Sequence, residues 1–420
     1  MTILIRGAKV IDGSSPHHLD TVDIFIENGI VQSIGTKIEK KADTVIETEG
    51  LHISNGWTDI FADYREPGFE HKETIASGLA SAAAGGFTAV LTVPNTNPTV
   101  SSKSVVQYIL KQAEGNAVSV HPIGSISNNL EGKNLAEMLD MHTHGAVAFS
   151  DGWKPIQNAN LMLKALEYAK AFDGTLIEIP CDATLSSGGL MHEGIESTQL
   201  GMPGIPSLAE TLHLHRNIEL LRYTDSKLHI TGISCAESVE MIRNAKADGL
   251  KITCSVTPYH LVLNDEIMRS YNSAYKVMPP IRTKNDRKAL VEGLKDGTID
   301  CVAAHHRPQE WDAKAKEFEY ASDGMNVQEN TFAILYNSLK NEIPLERLVD
   351  ALSQKPNGIF GVKSSSIKEA GEVNFTLFST TDQTNLNGLK SKSANNPFMN
   401  KELAGKVIGI LKGNQVILNK

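Results

Sequence analysis

The sequence predicts an α/β chain organised as a parallel (β/α)8 barrel, and three observations predict it. Short apolar runs recur through the middle of the chain, most gaps between them carry helical periodicity, and no Gly-x-Gly-x-x-Gly follows the first run. The first two require alternation, because each parallel step needs a crossover. The third disfavours a doubly wound open sheet, the alternative architecture.

Residues 1 to 50 alternate apolar and polar positions in bursts, Ile3 and Ile5, then Val22, Ile24 and Ile26, and Asn28-Gly29 is a two-residue hairpin signal. The strand-like runs of the middle lie near Asp59 and at 89–93, 118–123, 146–149, 175–179, 228–233, 251–256 and 299–303. Helical patterns occupy 74–85, 156–172 and 207–222. The last fifty residues return to β style, with VNFTLF near 373 and KVIGILKGNQVIL turning at Gly413-Asn414. The two terminal segments are expected to pack together as one discontinuous domain.

Of 420 residues, 41% are hydrophobic and 21% charged, which sets aside disordered and fibrous classes. Lys+Arg total 40 against Asp+Glu 49, and no basic run stands out, so neither nucleic acid nor an anionic membrane is an expected partner. Cys181, Cys235, Cys254 and Cys301 show no CxxC spacing and read as buried thiols of a reducing compartment. The N-terminal apolar run is broken by Arg6 and Lys9, and no stretch approaches a membrane span, so the expected location is cytoplasmic.

Barrel chemistry sits at the C-terminal strand ends. The residues there are Phe61, Asp63 and Arg65, then Asn95, Asp151, Pro180, Gly232 and His305.

DIFADYREPG at 59–68, HKET at 71–74, AAAGGFTAV at 82–90 and VPNTNP at 93–98 lead a series of motifs that continues with HPIGSISNNLEGKNLAEM at 121–138 and GAVAFSDG at 145–152. SSGGLMHEG at 186–194, TPYHL at 257–261, PPIRTKNDRKAL at 279–290, DGTID at 296–300 and KSANNPF at 392–398 complete it. In this order, over essentially the whole chain, they resemble the dihydroorotases of the amidohydrolase superfamily. The resemblance implies a metal-dependent (β/α)8 barrel over 53–366 and a β-sandwich built from 1–52 with 367–420. It also implies hydrolysis or closure of the cyclic amide of dihydroorotate.

The metal positions depart from that pattern. The family's HxH pair after the first strand is Phe61 and Asp63 here, and the histidines expected after the fifth and sixth strands are Pro180 and Gly232. The aspartate of the DHAPH motif, metal ligand and general base, is His305 in HHRPQ. Asp151 keeps the bridging carboxylate, followed by Gly152-Trp153 where a second acid and a glycine are usual. Phe, Pro and Gly side chains offer no lone pair, and a catalytic zinc needs three protein ligands plus an open position to make hydroxide near neutral pH. The expectation is a catalytically silent homologue with no metal. On the substrate side Arg65 and Asn95 match the family's carboxylate clamp, whereas Met278 replaces an Asn and Gln309 a His.

The resemblance to inactive dihydroorotase-like chains points to a homodimer supporting aspartate transcarbamoylase or another pyrimidine-pathway subunit. Two alternatives stand beside it: an active cyclic-amide hydrolase with zinc rearranged onto Asp63, Asp151 and His305, and a sensor that binds dihydroorotate or carbamoyl aspartate through Arg65 and Asn95. Arg65 has two open readings, anion binding or a salt bridge with Glu66 or Asp59. Asp59 is expected to orient strand-end backbone, His142 and His144 to lie at the surface, and His213 and His215 to point apart on a helix. His229 and His260 read as core hydrogen-bonding residues.

Overall fold

The computed structural model describes residues 1–419. Eight parallel strands hydrogen-bond in chain order: Trp57–Ala62, Phe87–Thr92, Ser119–Gly124, Ala148–Phe149, Thr175–Glu178, Lys227–Thr231, Ile252–Val256 and Cys301–Val302. Closure falls between the ends of this order. Asp63 N donates to His306 O at 2.8 Å, and Ala62 bridges His306 in parallel. Helices cover the strands from outside, so both strand faces are buried and the sequence reads as near-continuous apolar runs. Trp57–Ala62 and Phe87–Thr92 are buried at every position.

The intervening helices start where their sequences supply caps. Thr74 and Ser77 form a capping box before Ile75–Ala84, and Thr283 with Asp286 forms another before Lys284–Asp296. Gly297 ends the latter at φ +86°, a left-handed conformation that an L side chain resists. Leu208–Thr224 buries Ala209, His213, Leu214, Asn217, Ile218 and Leu221, the three-and-four spacing of one helical face.

The terminal segments meet as expected, and hydrogen bonds join their eight strands into one β-rich unit. Its central seam pairs Leu51–Asn55 with Asn374–Asn385 antiparallel and with Thr2–Ile11 in parallel. Both hairpins form: Glu27 faces Ile30 across Asn28 (φ +53°) and Gly29 (φ +75°), and Lys412 faces Gln415 across Gly413-Asn414. The stretch 386–400 leaves this sheet and reaches the barrel rim, where Ser393 Oγ donates to Lys72 O at 2.7 Å and Asn395 Nδ2 to Arg307 O at 2.9 Å. Among the described residues no helix is long and apolar enough to cross a membrane.

Candidate functional site

The site is built from the C-terminal ends of the strands. Alternation along Trp57–Ala62 sends Asp59 and Phe61 to the barrel interior, with Asp63 next in the same series. Asp59 orients backbone there. Its Oδ1 accepts from Ala304 N at 3.0 Å and its Oδ2 from Gln328 Nε2 at 2.7 Å, while burial pushes its carboxyl up.

Phe61 fills the middle of the mouth. Its ring lies 4.8 Å from that of His305 and meets Trp153 edge-on at 5.1 Å, and Trp153 meets His305 edge-on at 5.4 Å. Three rings in mutual contact therefore occupy the space over the barrel axis, with favourable tilted and edge geometries. Gly232, at φ +72°, has this cluster as its neighbour: a Cβ there would stand 2.6 Å from His305 Cε1. Pro180 is buried after the fifth strand and its side chain offers no ligand atom.

The retained carboxylates serve other partners. Asp63, fully buried, accepts from Trp153 Nε1 at 2.8 Å and pairs with Arg65 Nη1 at 3.1 Å. Asp151 accepts from Ile126 N and Ser127 N, both at 2.9 Å, and from Ser127 Oγ, bracing the loop after the third strand; burial raises its carboxyl. His305 bonds through Nε2 to Thr231 Oγ1 at 2.8 Å, and from there a chain runs through Ser255 Oγ to His229 and Thr253. Burial holds His305 well below the ordinary imidazole range and His229 down at about 3, so both are neutral.

This donor set does not fit a catalytic zinc. Three of the six positions carry no lone pair, and aromatic rings stand where a metal and its water would need room. The expected rearrangement onto Asp63, Asp151 and His305 also finds no support. Among the described residues no group of three or more His, Cys, Asp or Glu side chains is arranged to hold a metal.

The carboxylate clamp is likewise engaged. Asn95 Nδ2 donates to Asp151 O at 3.2 Å and its Oδ1 accepts from Trp153 N at 3.1 Å. The same Oδ1 would lie 1.8 Å from a Cβ at position 152, which explains why the residue before Trp153 is Gly152, at φ +61°. Arg65 corrects both sequence readings of its ion pair: its partner is Asp63, not Glu66 or Asp59, and Nη2 also donates to Pro308 O at 3.3 Å. Gln309 spans Lys72 Nζ and Asp323 O, at 2.8 and 2.7 Å, and half-buried Met278 precedes Pro279.

Other expectations resolve simply. His142 and His144 each face a separate backbone carbonyl, at 3.1 and 2.7 Å, and His213 is buried while His215 is exposed. His260 bonds Thr257 Oγ1 and the Pro279 and Pro280 carbonyls in the core. Cys235, Cys254 and Cys301 are buried, but Cys181 is half-exposed, which corrects the reading of four buried thiols.

Two residues at this mouth escaped sequence reasoning as site residues. Trp153 was visible only as a departure from the usual acid and glycine, and Arg307 lay unremarked inside HHRPQ. Arg307 rests on the Trp153 ring at 4.4 Å. The signal available was their pairing, a new aromatic after the fourth strand and a new guanidinium after the eighth, which meet across the mouth.

A family model described as dihydro-orotase-like matches residues 51–238. A dihydroorotase of Acetivibrio thermocellus is 39% identical over 424 aligned positions, covering 100% of this chain and 99% of that protein. One from Syntrophus aciditrophicus is 38% identical, covering 99% of each. Among solved structures, an L-hydantoinase (dihydropyrimidinase) from Arthrobacter aurescens superposes with a TM-score of 0.85 at 20% identity, covering 100% of this chain and 96% of its own. A dihydropyrimidinase from Brevibacillus agri gives 0.83 at 21%, covering 100% and 95%. These two likenesses concern the fold.

Proposed function

The chain belongs to the dihydroorotase family, and from that premise we propose that it is a member devoted to pyrimidine biosynthesis without carrying out the ring-opening hydrolysis itself. The observation that carries this reading is the packing of Phe61, Trp153 and His305 in mutual contact over the barrel axis, at 4.8 to 5.4 Å between ring centroids. Unactivated water is a poor nucleophile toward an amide, and activation needs a metal or a well-placed base. Here the residue at the general-base position is a neutral imidazole already bonded to Thr231. Its role is then that of a structural partner, as a homodimer that supports aspartate transcarbamoylase or another subunit of the same pathway.

The second reading is an active dihydroorotase, and the names of relatives at 39% and 38% identity favour it. One experiment separates the two. Protein purified after growth in zinc is assayed for transition metal and for turnover of dihydroorotate to N-carbamoyl-aspartate. The proposal expects neither; stoichiometric metal with chelator-sensitive turnover would establish the active enzyme. The partner role is tested by affinity capture from the native cytoplasm, which should recover an aspartate transcarbamoylase subunit.

A further inference from the structure

We propose that a cavity at the N-terminal end of the barrel, lined by Lys412 and His121, is an anion site that takes a dianionic oxyanion, free or as a phosphate monoester. The cavity has a volume of about 330 Å³ and lies between the first residues of strand Ser119–Gly124, the turn at Gly413 and the segment 362–365. That is space for roughly ten waters, more than a bare ion fills. Both terminal segments wall it. Gly29 and Gly413, one from each hairpin turn, line it side by side, and a Cβ on Gly29 would stand 2.9 Å from the Gly413 carbonyl carbon. Alternation along Ser119–Gly124 points Ser119 and His121 to the same face as Ile123, which packs with Phe360 and Val362 inside the barrel. The site therefore sits at the end opposite the mouth, and it does not depend on whether the mouth holds a metal.

The chemistry of the lining selects an anion. Lys412 is half-buried, and its ammonium donates to Thr88 O at 2.8 Å and Ser119 Oγ at 2.6 Å, which leaves its third N–H without a partner. Among the described residues it pairs with no carboxylate, and burial alone draws it down to about 8. An ammonium withdrawn from water without a counter-charge is unfavourable, and an anion beside it removes that deficit. His121 shares the cavity. It is half-buried, neither ring nitrogen is bonded to a described residue, and burial together with the Lys412 charge holds it neutral, at about 4. The other charged groups of the lining, Lys363 and Glu372, pair with each other at 2.5 Å. The cavity thus carries one uncompensated positive charge while His121 is neutral, and two once it takes a proton. Two match a dianion, whereas a monocarboxylate needs Lys412 alone.

The test follows the His121 ring. Protein carrying isotope-labelled histidine is titrated with sulfate, whose charge does not change over the pH range used, and then with inorganic phosphate, glycerol phosphate and acetate at matched ionic strength. The His121 resonance is the one missing from His121→Gln. It should shift saturably with sulfate, and its titration midpoint should rise by about two units, the scale that an opposite charge in contact produces. Because the occupied site holds a proton that the empty one refuses, calorimetric affinity for sulfate should grow about tenfold from pH 7.5 to 5 and stay nearly level in His121→Gln. Lys412→Met should weaken binding by about tenfold or more, the scale of a lost charge-assisted bond. Tighter binding of glycerol phosphate than of inorganic phosphate assigns a monoester, the reverse assigns the free ion, and either supports the site. An unmoved His121 resonance, acetate binding as tightly as sulfate, pH-independent affinity in the unmutated protein, or undiminished affinity in folded Lys412→Met would overturn it. Should Lys412→Met fail to fold, the His121 resonance of the unmutated protein decides alone.

Discussion

Two buried charge clusters lie at strand ends of the same barrel, and they are built differently. Around Arg282 every side-chain nitrogen has a partner: Nε on Ser234 Oγ at 2.9 Å, Nη1 on His192 and Ile205 O at 3.1 Å, and Nη2 toward Glu210 at 3.4 Å. Glu210 in turn accepts from Ser234 N, Ser234 Oγ and Cys235 N. Around Asp63 the ledger is open, with Arg65 Nε, Arg307 Nε and His305 Nδ1 enclosed without partners. A closed network makes one conformation rigid, whereas an open one leaves binding capacity. The difference separates a part of the barrel whose buried nitrogens are paired from the mouth, where three are not.

That contrast yields a ranked set of expectations. The largest is for Arg282→Met, which strands the Glu210 carboxylate in the core and should lower unfolding free energy by about 3–5 kcal/mol in urea titrations. A loss under 1 kcal/mol would erase the distinction between the clusters. Next is Gly232→Ala, which meets His305 Cε1 at 2.6 Å in a left-handed backbone and should cost about 1–3 kcal/mol. Adding His305→Ala should recover part of that cost, read as a coupling energy in a double-mutant cycle.

Acid comes third. Burial depresses His229 to about 3 and His260 to about 4, from an ordinary 6.5, and takes His305 well below its usual range. The unfolded chain therefore binds protons that the folded one refuses, and stability should fall as pH drops below about 6.5. The scale is on the order of 1 kcal/mol per unit per imidazole. Glu210 adds to this lower down. Burial alone would raise its carboxyl, but Arg282 and Ser234 bring it below the ordinary range, so its contribution is lost as pH falls through the depressed value. A urea midpoint that is flat from pH 7.5 to 5 would contradict the neutral assignments. The smallest effect is expected for Trp153→Phe, about 1 kcal/mol from the lost bond to Asp63. A much larger loss would mean that the mouth is as tightly interlocked as the Arg282 cluster.

Much of the scaffold was legible because single periodicities decide it. The runs at 228–233 and 251–256 became Lys227–Thr231 and Ile252–Val256 because both strand faces are buried, and Asn28-Gly29 made its hairpin from local backbone preference. That Phe61, Pro180 and Gly232 offer no metal-binding side-chain atom was legible as chemistry, since none of the three can be a ligand in any fold. What packs around them was not. That Asp63 turns to the Trp153 indole, ninety residues on, and that Asn95 forbids a side chain at position 152 are long-range packing facts with no local signature. That the two terminal segments pack together was legible, but which strands pair was not, because the pairing between Leu51–Asn55 and Asn374–Asn385 leaves no mark on either segment alone.

The chain of bonds from His305 to Thr253 carries a directional constraint. Each hydroxyl owns one hydrogen, so Thr231 and Ser255 must both point the same way along it. Were they to point toward His305, that ring would carry its hydrogen on Nδ1, which faces no acceptor. Pointing away instead puts the hydrogen on Nε2 of His305, leaves Nε2 of His229 bare, and gives His229 an Nδ1 hydrogen to donate to Thr253 at 2.8 Å. One vacant nitrogen at the rim thereby dictates the tautomer of a ring two links deeper in the barrel.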